Sequence, residues 1–296
     1  MPSRAGADGA VHQLRARGYD ACEIDFGKGF WMSWRFAERL GVLAREERLA
    51  LSIHAPMAAF LGHPEVDGPK HHRAIGMLDH AAGIAAACGA APVVLHPGFL
   101  LGRSRAEALD AVIEQLAALR ARLERSGRAV PFGVEVMGRA RDLGTLDDVL
   151  AICRALPWVR PVLDFAHLHA VTGGGFVTVD AFAEVLAAAD DAMGTRAPFH
   201  IHFYDVVHTG GNERAHVPYG EGTLRAEPWP RRWRGSSGRP RWSSSRPTRR
   251  PTRRSAACSP ARSPRRPRRR RPAPRARARA GAPAARASRT GARPRR

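Results

Sequence analysis

The sequence LDFAHLHA, residues 163–170, places an aspartate and two histidines at the end of an apolar run that begins at Pro161. Asp164, His167 and His169 are residue types that bind metals through carboxylate oxygens and imidazole nitrogens. The stretch is also consistent with the polar end of an ordinary buried strand. Residues of the same types elsewhere in the chain decide between these two interpretations.

Short segments rich in β-forming residues alternate with longer segments of helical period from residue 18 to about residue 202. After Ser104, for example, Leu109, Val112 and Leu116 recur at helical spacing, and Ser104 with Glu107 gives a capping-box pattern. The alternation predicts an α/β fold with a parallel sheet, in which functional groups gather at the carboxyl ends of the strands. The predicted strands are DACEIDF, ALSIHAP, APVVLHP, VPFGVEV, VRPVLDF and PFHIHFY.

The formal net charge of +21 arises in the last part of the chain. Residues 228–296 contain 25 arginines and no lysine or acid, so the charge of residues 1–227 is 21 minus 25, or −4. The arginine-rich segment has little to bury, and we expect it to be disordered. It is either a nucleic-acid-binding arm or, as we favour, the product of a GC-rich gene read out of frame. The sequence therefore predicts a folded domain at residues 1–227 and a disordered tail at residues 228–296.

The cysteine usage predicts a reducing compartment, and the distribution of apolar residues predicts that the chain does not span a membrane. The four cysteines show no CxxC spacing, which argues against structural disulfides and against a thiolate zinc site. No apolar run approaches the roughly 20 residues that span a bilayer. The first residues, MPSRAGADGA, lack the apolar centre of a signal peptide. We expect a cytoplasmic monomer without a membrane partner.

Every predicted strand after the first ends on a residue that can bind a metal. These residues are His54, His96, Glu135, Asp164 with His167 just beyond it, and His202. Their separations of 42, 39, 29 and 38 residues each accommodate a loop, a helix and a second loop. One such histidine alone is usually a hydrogen-bonded or solvent-facing residue. Five strand ends in succession predict a metal site, because charged groups at the ends of buried strands are costly unless they are paired or bound to metal.

Other polar residues give weaker signals. Glu23 and Asp25 end the first predicted strand. The sequence leaves open whether their side chains face the predicted metal site or point away from it. Three histidines of a predicted helix are expected on its solvated face, namely His71, His72 and His80.

The predicted ligands favour particular metals. Imidazoles mixed with carboxylates suit zinc, with manganese or iron also possible, whereas calcium and magnesium prefer oxygen ligands. The number of ligands indicates more than one metal. Closely spaced metals lower the pKa of a bound water toward roughly 7 and stabilise charge on a phosphoryl group.

The motifs, taken in order, make the sequence similar to the endonuclease IV family, the zinc AP endonucleases on a xylose isomerase-like TIM barrel. They are HAP at 54–56, LHPG at 95–98, Glu135, DFAH at 164–167, HFYD at 202–205 and HVPYGEG at 216–222. The resemblance implies a TIM (β/α)8-type barrel. Six of its eight strands are recognisable, so we expect an incomplete barrel without the first and last strands, and with reduced stability and activity.

The resemblance also assigns residues to three zinc ions. One zinc would be held by His54, His96 and Glu135; a second by Glu135, as a catalytic bridging ligand, with Asp164 and His202; and a third by His167 and His216. The family cleaves the phosphodiester bond 5′ to an abasic site with metal-activated water and leaves a 3′ hydroxyl. The implied activity is therefore that of a DNA-repair endonuclease, and the implied partner is DNA that contains abasic sites. His169 has no matching role and is expected to support the site or the fold.

The sequence departs from the family's pattern around this site. Arg214 stands where the family has an aspartate two residues before the histidine that matches His216, and Glu213 is the nearest acid. Met57 follows HAP, where a DNA-contacting tyrosine is frequent. The last strand, which would bring a carboxylate to the second zinc, is replaced by the arginine-rich segment.

We consider two further functions. A sugar isomerase or epimerase on the same barrel would bind sugar hydroxyl groups with one or two metals. Such an enzyme does not need the pair His167 and His216, whereas Met57 is compatible with it. A non-enzymatic nucleic-acid-binding protein would act through residues 228–296, with steeply salt-dependent binding.

Overall fold

The computed structural model describes residues 6–193, 198–229 and 241–243. The helices in these ranges are α1 (Gly6–Ala16), α2 (Trp34–Glu46), α3 (Pro69–Cys88), α4 (Arg105–Arg125), α5 (Leu146–Ala155), α6 (Phe165–Val171) and α7 (Val179–Met193). The strands are β1 (Ala21–Asp25), β2 (Ala50–His54), β3 (Val93–Leu95), β4 (Phe132–Glu135), β5 (Val159–Asp164), β6 (His200–His202), β7 (Asp205–Thr209), β8 (Asn212–Val217) and β9 (Arg241–Ser243). Most of the arginine-rich segment at residues 228–296 lies outside the described residues. The two interpretations of this segment, a nucleic-acid-binding arm and an out-of-frame product, therefore stay predictions.

Strands β1 to β6 form a parallel sheet in chain order, and each strand is hydrogen-bonded to the next. They coincide with the six strands predicted from the sequence, and at least one helix lies in every crossover between them. The prediction of an α/β fold is therefore confirmed. The six strands form a half-barrel, which is consistent with an incomplete TIM barrel.

The structure adds one parallel strand that the sequence did not predict. Strand β9 pairs with β6, with Trp242 opposite Ile201, and its backbone also comes close to β1. Its residues come from the arginine-rich segment, whose composition gave no indication of a strand. The sheet therefore extends past the six recognised strands.

Helix α4 begins where the sequence predicts. Ser104 and Glu107 form the capping box of α4: the hydroxyl of Ser104 accepts from the backbone N–H of Glu107 at 3.3 Å, and the carboxylate accepts in return from the N–H of Ser104 at 2.9 Å. Thr145 caps α5 in the same way with Asp148. Such caps contribute about 1 kcal/mol each. They fix the helix starts, and so the loops that leave the carboxyl ends of the strands.

An antiparallel hairpin, β7 and β8, follows the last of the six strands. Gly210 and Gly211 form its turn with φ values of 57° and 72°, a region that residues with a Cβ rarely adopt. The backbone N–H of Glu213 donates to the carbonyl of Gly138 at 2.8 Å. The hairpin is thereby attached to the loop that leaves β4, at the carboxyl end of the sheet.

Trp229 extends the core beyond the predicted domain boundary at residue 227. Its indole is 4% exposed and packs edge-on against Phe165, with ring centroids 5.2 Å apart. Phe182 and Phe203 complete this aromatic cluster. The two residues after the boundary are thus continuous with the folded part of the chain.

Candidate metal centre

The side chains with metal-binding groups stand at the carboxyl ends of the parallel strands. His54, Glu135, Asp164 and His202 are the last residues of β2, β4, β5 and β6, and His96 follows β3 directly. Parallel neighbours place these ends at one edge of the sheet, where TIM-barrel sites form. The structure therefore brings the five strand ends together, as the sequence predicted.

The DFAH motif contributes to this edge through a turn that its own aspartate stabilises. Asp164 ends β5 and is the N-cap of α6, where its Oδ1 atom accepts from the backbone N–H of His167 at 2.8 Å. The cap holds the His167 imidazole beside the strand end, and its Nδ1 atom lies 2.7 Å from the carbonyl oxygen of Val136. The sequence LDFAHLHA is thus both a strand end and a helix start, and it directs two ligand-type side chains to the same place.

A first cluster consists of His54, His96 and Glu135. The Nε2 atoms of the two histidines lie 3.1 Å and 3.2 Å from the same carboxylate oxygen, Oε2 of Glu135. Glu135 is buried, with only 2% of its side chain exposed. Two imidazole nitrogens converging on one buried carboxylate oxygen give a three-ligand set of the kind that zinc prefers.

A second cluster shares Glu135 with the first. Its other oxygen, Oε1, lies 2.7 Å from Nδ1 of His202, and that nitrogen is 3.7 Å from Oδ2 of Asp164. Asp164 is fully buried, and its Oδ2 atom has no hydrogen bond from the residues that the structure describes. A buried carboxylate oxygen without a donor is costly unless a cation compensates it.

A third cluster joins His167, Glu213 and His216. The Nε2 atom of His167 lies 2.9 Å from Oε2 of Glu213, and the Nε2 atom of His216 lies 2.6 Å from the other oxygen of the same carboxylate. Glu213, and not the exposed Arg214, therefore brings a carboxylate to both histidines. The sequence named Glu213 only as the nearest acid and did not assign it to the site.

Tyr204 is a further residue at this cluster that sequence reasoning did not single out. Its hydroxyl lies 3.0 Å from Nε2 of His167, and its ring packs against His216 with centroids 3.9 Å apart. Burial, with the nearby carboxylates of Asp164 and Glu213, raises the pKa of Tyr204 well above its usual range. The phenol therefore stays protonated and can donate a hydrogen bond.

The carboxylates control the protonation of the histidines. Burial alone would lower the pKa of His54, but its contact with Glu135 raises that pKa to about 9. The same opposition at His167, with Asp164 and Glu213 as the acids, raises the pKa to about 10. In contrast, burial outweighs the carboxylate at His96 and lowers the pKa of that imidazole.

The acids respond in the opposite direction. Burial would raise the pKa of Glu135, but His202, His54 and His96 outweigh it and hold that pKa well below the usual range. The pKa of Glu213 is likewise lowered by His167 and His216, against the effect of burial. Ionised carboxylates beside imidazoles that can lose a proton are the donor set that a divalent transition metal requires. The three clusters therefore fit metal ions.

Glu23 also faces the interior of the barrel, whereas its neighbour Asp25 does not. The side chain of Glu23 is 6% exposed and lies near His200 and His202, while Asp25 is exposed and accepts from the backbone N–H of Gly27 at 2.6 Å. Of the two acids whose orientation the sequence left open, Glu23 therefore faces the cluster of histidines and Asp25 faces solvent. His169 lies apart from the clusters, with its Nε2 atom 2.9 Å from the hydroxyl of Thr223.

The fold and this site together define a class: α/β barrels with clustered histidines and carboxylates at the carboxyl ends of their strands. Residues 11–231 match the family model of the xylose isomerase-like TIM barrel, and the chain belongs to that family. The resemblance derived from the sequence motifs is thereby confirmed at the level of the family. None of the helices in the described ranges is long and apolar enough to cross a membrane.

The similar proteins of known structure include both an endonuclease and an epimerase-like protein. The chain is 28% identical to the uncharacterised protein MJ0133 of Methanocaldococcus jannaschii, over 72% of this chain and 76% of that protein. The crystal structure of endonuclease IV from Thermus thermophilus matches with a TM-score of 0.57 and 23% identity, over 74% of this chain and 79% of the other. A D-tagatose 3-epimerase-like protein matches with the same TM-score and coverage at 18% identity. These structural matches establish a shared fold and do not choose between the two chemistries.

Proposed function

We propose that this protein is a metal-dependent phosphodiesterase that cleaves DNA 5′ to abasic sites, as a base-excision-repair endonuclease does. The observation that carries the proposal is the third cluster, His167, Glu213 and His216, beside the two clusters that share Glu135. Chemistry on a sugar hydroxyl needs one or two metals. In-line displacement at a phosphoryl group benefits from additional cations beside the attacking and leaving oxygens, because these would stabilise the negative charge there.

The proposed ligands would hold up to three zinc ions, with manganese as the other candidate. His54, His96 and Glu135 would hold the first; Glu135, Asp164 and His202 the second; and His167, Glu213 and His216 the third. When bound, the metals lower the pKa of water and neutralise charge on the phosphate. Glu135 is the residue that connects the first two sites, since each of its oxygens faces a different set of imidazoles.

The chain's own groups would orient the substrate. Gly138 lies against the third cluster so closely that a Cβ atom there would stand 2.6 Å from the Glu213 carboxylate. Arg139 follows it, and Arg139, Arg141 and Arg214 are all exposed on the segments around this cluster. Guanidinium groups at this rim suit phosphate recognition, because their paired N–H donors match phosphate oxygens. The Tyr204 hydroxyl would donate to a substrate oxygen beside His167.

A sugar isomerase or epimerase is the second candidate, and Met57 favours it. Its side chain is 55% exposed after the HAP motif, where the related nucleases often have a tyrosine that contacts DNA. The first two clusters would suffice for such a reaction, and the third cluster would then be dispensable. The two candidates therefore make opposite predictions for Glu213.

The deciding experiment compares two substrate classes, DNA and ketoses, in the wild-type protein and in one variant. Metal-free protein is reloaded with zinc or manganese and incubated with a duplex oligonucleotide carrying an abasic analogue, with the intact duplex, and with a panel of ketoses. We expect cleavage 5′ to the abasic position with a 3′ end that a polymerase can extend, and a loss of this cleavage in Glu213→Gln. Ketose turnover without DNA cleavage, retained in Glu213→Gln, would establish the isomerase instead.

A further inference from the structure

Glu23 is a buried carboxylate beneath the metal-binding side chains, in a position that most α/β barrels fill with branched apolar residues. It lies on β1 opposite Ser52 of β2, whereas the pair Asp25 and His54 stands nearer the carboxyl ends. A carboxyl group buried at this depth is costly to the fold unless specific partners compensate it.

The partners of Glu23 divide between its two oxygens. Oε2 lies 2.9 Å from Nε2 of His200 and accepts from the hydroxyl of Ser52 at 3.2 Å. Oε1 lies 3.1 Å from Nε2 of His202. That nitrogen is buried, and within the described part of the chain no acceptor, Glu23 included, is aligned with it as a hydrogen bond; Oε1 of Glu23 stands beside it as an ion-pair contact. One oxygen is thus held by β2 and β6, and the other lies next to a single imidazole nitrogen that has no hydrogen bond of its own in the described residues.

His202 has its two nitrogens in different surroundings. Nδ1 faces the Glu135 and Asp164 carboxylates, whereas Nε2 faces Glu23. A histidine binds a metal through one unprotonated nitrogen and commonly donates its other N–H to a carboxylate, which fixes the tautomer and the ring orientation. Oδ2 of Asp164 is buried without a hydrogen bond in the described residues, and it lies on the Nδ1 side of His202. A cation bound on that side would compensate its charge.

We propose that Glu23 is a positioning residue, which accepts the Nε2 proton of His202 and so presents Nδ1 to a metal held with Glu135 and Asp164. The inference rests on the proposed metal site and adds a residue to its support. Strand β1 thereby contributes to the centre without supplying a ligand. Ser52 and His200 act one step further away, since they hold the second oxygen of Glu23.

The tautomer of His202 in the full-length protein is the direct test. In zinc-loaded protein with 15N-labelled histidine, long-range proton–nitrogen correlation should show His202 protonated at Nε2 and metal-bound at Nδ1. Metal bound at Nε2 would overturn the proposal, because Glu23, His200 and His202 would then form a metal site of their own. If the wild-type protein bound no zinc at all, the proposed function would fail before this question arose.

A second measurement covers the variants. Glu23→Gln keeps the volume and removes the charge, and we expect zinc affinity at the His202 site to fall about 10- to 100-fold, as for the loss of other outer-shell partners. Ser52→Ala, which removes only one hydrogen bond to the same carboxylate, should have a smaller effect, and Glu114→Gln on the outer face of α4 should have none. Unchanged affinity in Glu23→Gln, or the loss of one whole equivalent of zinc in His200→Gln, would contradict the assignment.

Discussion

Oε1 of Glu135 lies 2.7 Å from Nδ1 of His202, so that the end of β4 is joined to the end of β6 across the mouth of the sheet. The other oxygen of Glu135 receives His54 and His96 from β2 and β3. One carboxylate therefore connects four of the six parallel strands, and the first two clusters of the candidate centre depend on the same side chain.

Glu135→Gln should empty the first two metal positions together. The amide keeps the shape of the side chain but loses the charge that compensates the metals, so we expect zinc content to fall by about two equivalents. Hydrolysis should fall by more than about 100-fold, because the loss of an outer-shell partner alone costs about 10- to 100-fold and Glu135 is the proposed bridging ligand. Metal analysis after gel filtration measures the first quantity, and single-turnover cleavage the second. A variant that retained all its zinc would show that Glu135 is not the bridge.

Glu213→Gln should act on the third position alone. The variant leaves His54, His96 and Glu135 untouched, so we expect a loss of about one equivalent of zinc with the other two retained. Glu114→Gln, the same change on an exposed helix position, is the matched control and should keep the full content. Loss of every metal in Glu213→Gln would mean that the clusters do not bind independently.

The gathering of histidines and carboxylates at the strand ends could be predicted because their positions follow from the chain's own periodicity. His54, Glu135 and His202 each end a short apolar run, and parallel strands place such ends at one edge whatever the details of packing. The turn after Asp164 added His167 for the same local reason. For these residues, the position in the sequence is nearly sufficient to give the position in the fold.

Glu213, Tyr204 and Glu23 needed the structure. Glu213 reaches the site because the hairpin turn at Gly210 and Gly211 folds β8 back onto the loop after β4, a contact that no local pattern encodes. The inward orientation of Glu23 depends on the register of β1 with β2, since a shift of one residue would have turned it outward. Strand β9 escaped prediction because its arginine-rich surroundings carry no strand signal.

The metal-free protein should lose stability as pH rises above neutrality. His54 and His167 have pKa values of about 9 and about 10 in the folded state against 6.5 as the ordinary value, so from pH 6.5 upward the folded state binds more protons than the unfolded state. The free energy of unfolding then falls with pH until both imidazoles have titrated. Urea denaturation with a chelator at pH 6.5 and pH 10 measures the effect. A higher midpoint at the alkaline end would contradict the assigned pKa values.

Asp205 of the HFYD motif should be essential for stability rather than for metal binding. It is fully buried and pairs with Arg225, and its oxygens also accept from the backbone N–H groups of Val206, Gly220, Gly222 and Leu224. Asp205→Ala leaves those groups without their acceptor, and we expect a loss of about 3–5 kcal/mol in the free energy of unfolding. Asp191→Ala, which removes an exposed pair with Arg154 at 3.5 Å, should cost at most about 1 kcal/mol. Equal costs for the two variants would refute the distinction.

Trp229→Ala tests whether the folded domain continues past residue 227. The indole is buried among Phe165, Phe182 and Phe203, so its removal leaves a cavity in the aromatic cluster beside α6 and α7. We expect about 3–5 kcal/mol of destabilisation, the range for truncating a buried tryptophan. Trp34→Ala, at a position 44% exposed, should cost clearly less. Urea denaturation of both variants gives the comparison. If Trp229→Ala were as stable as the wild type, the domain would end at residue 227 and the packing of the indole would contribute nothing to folding.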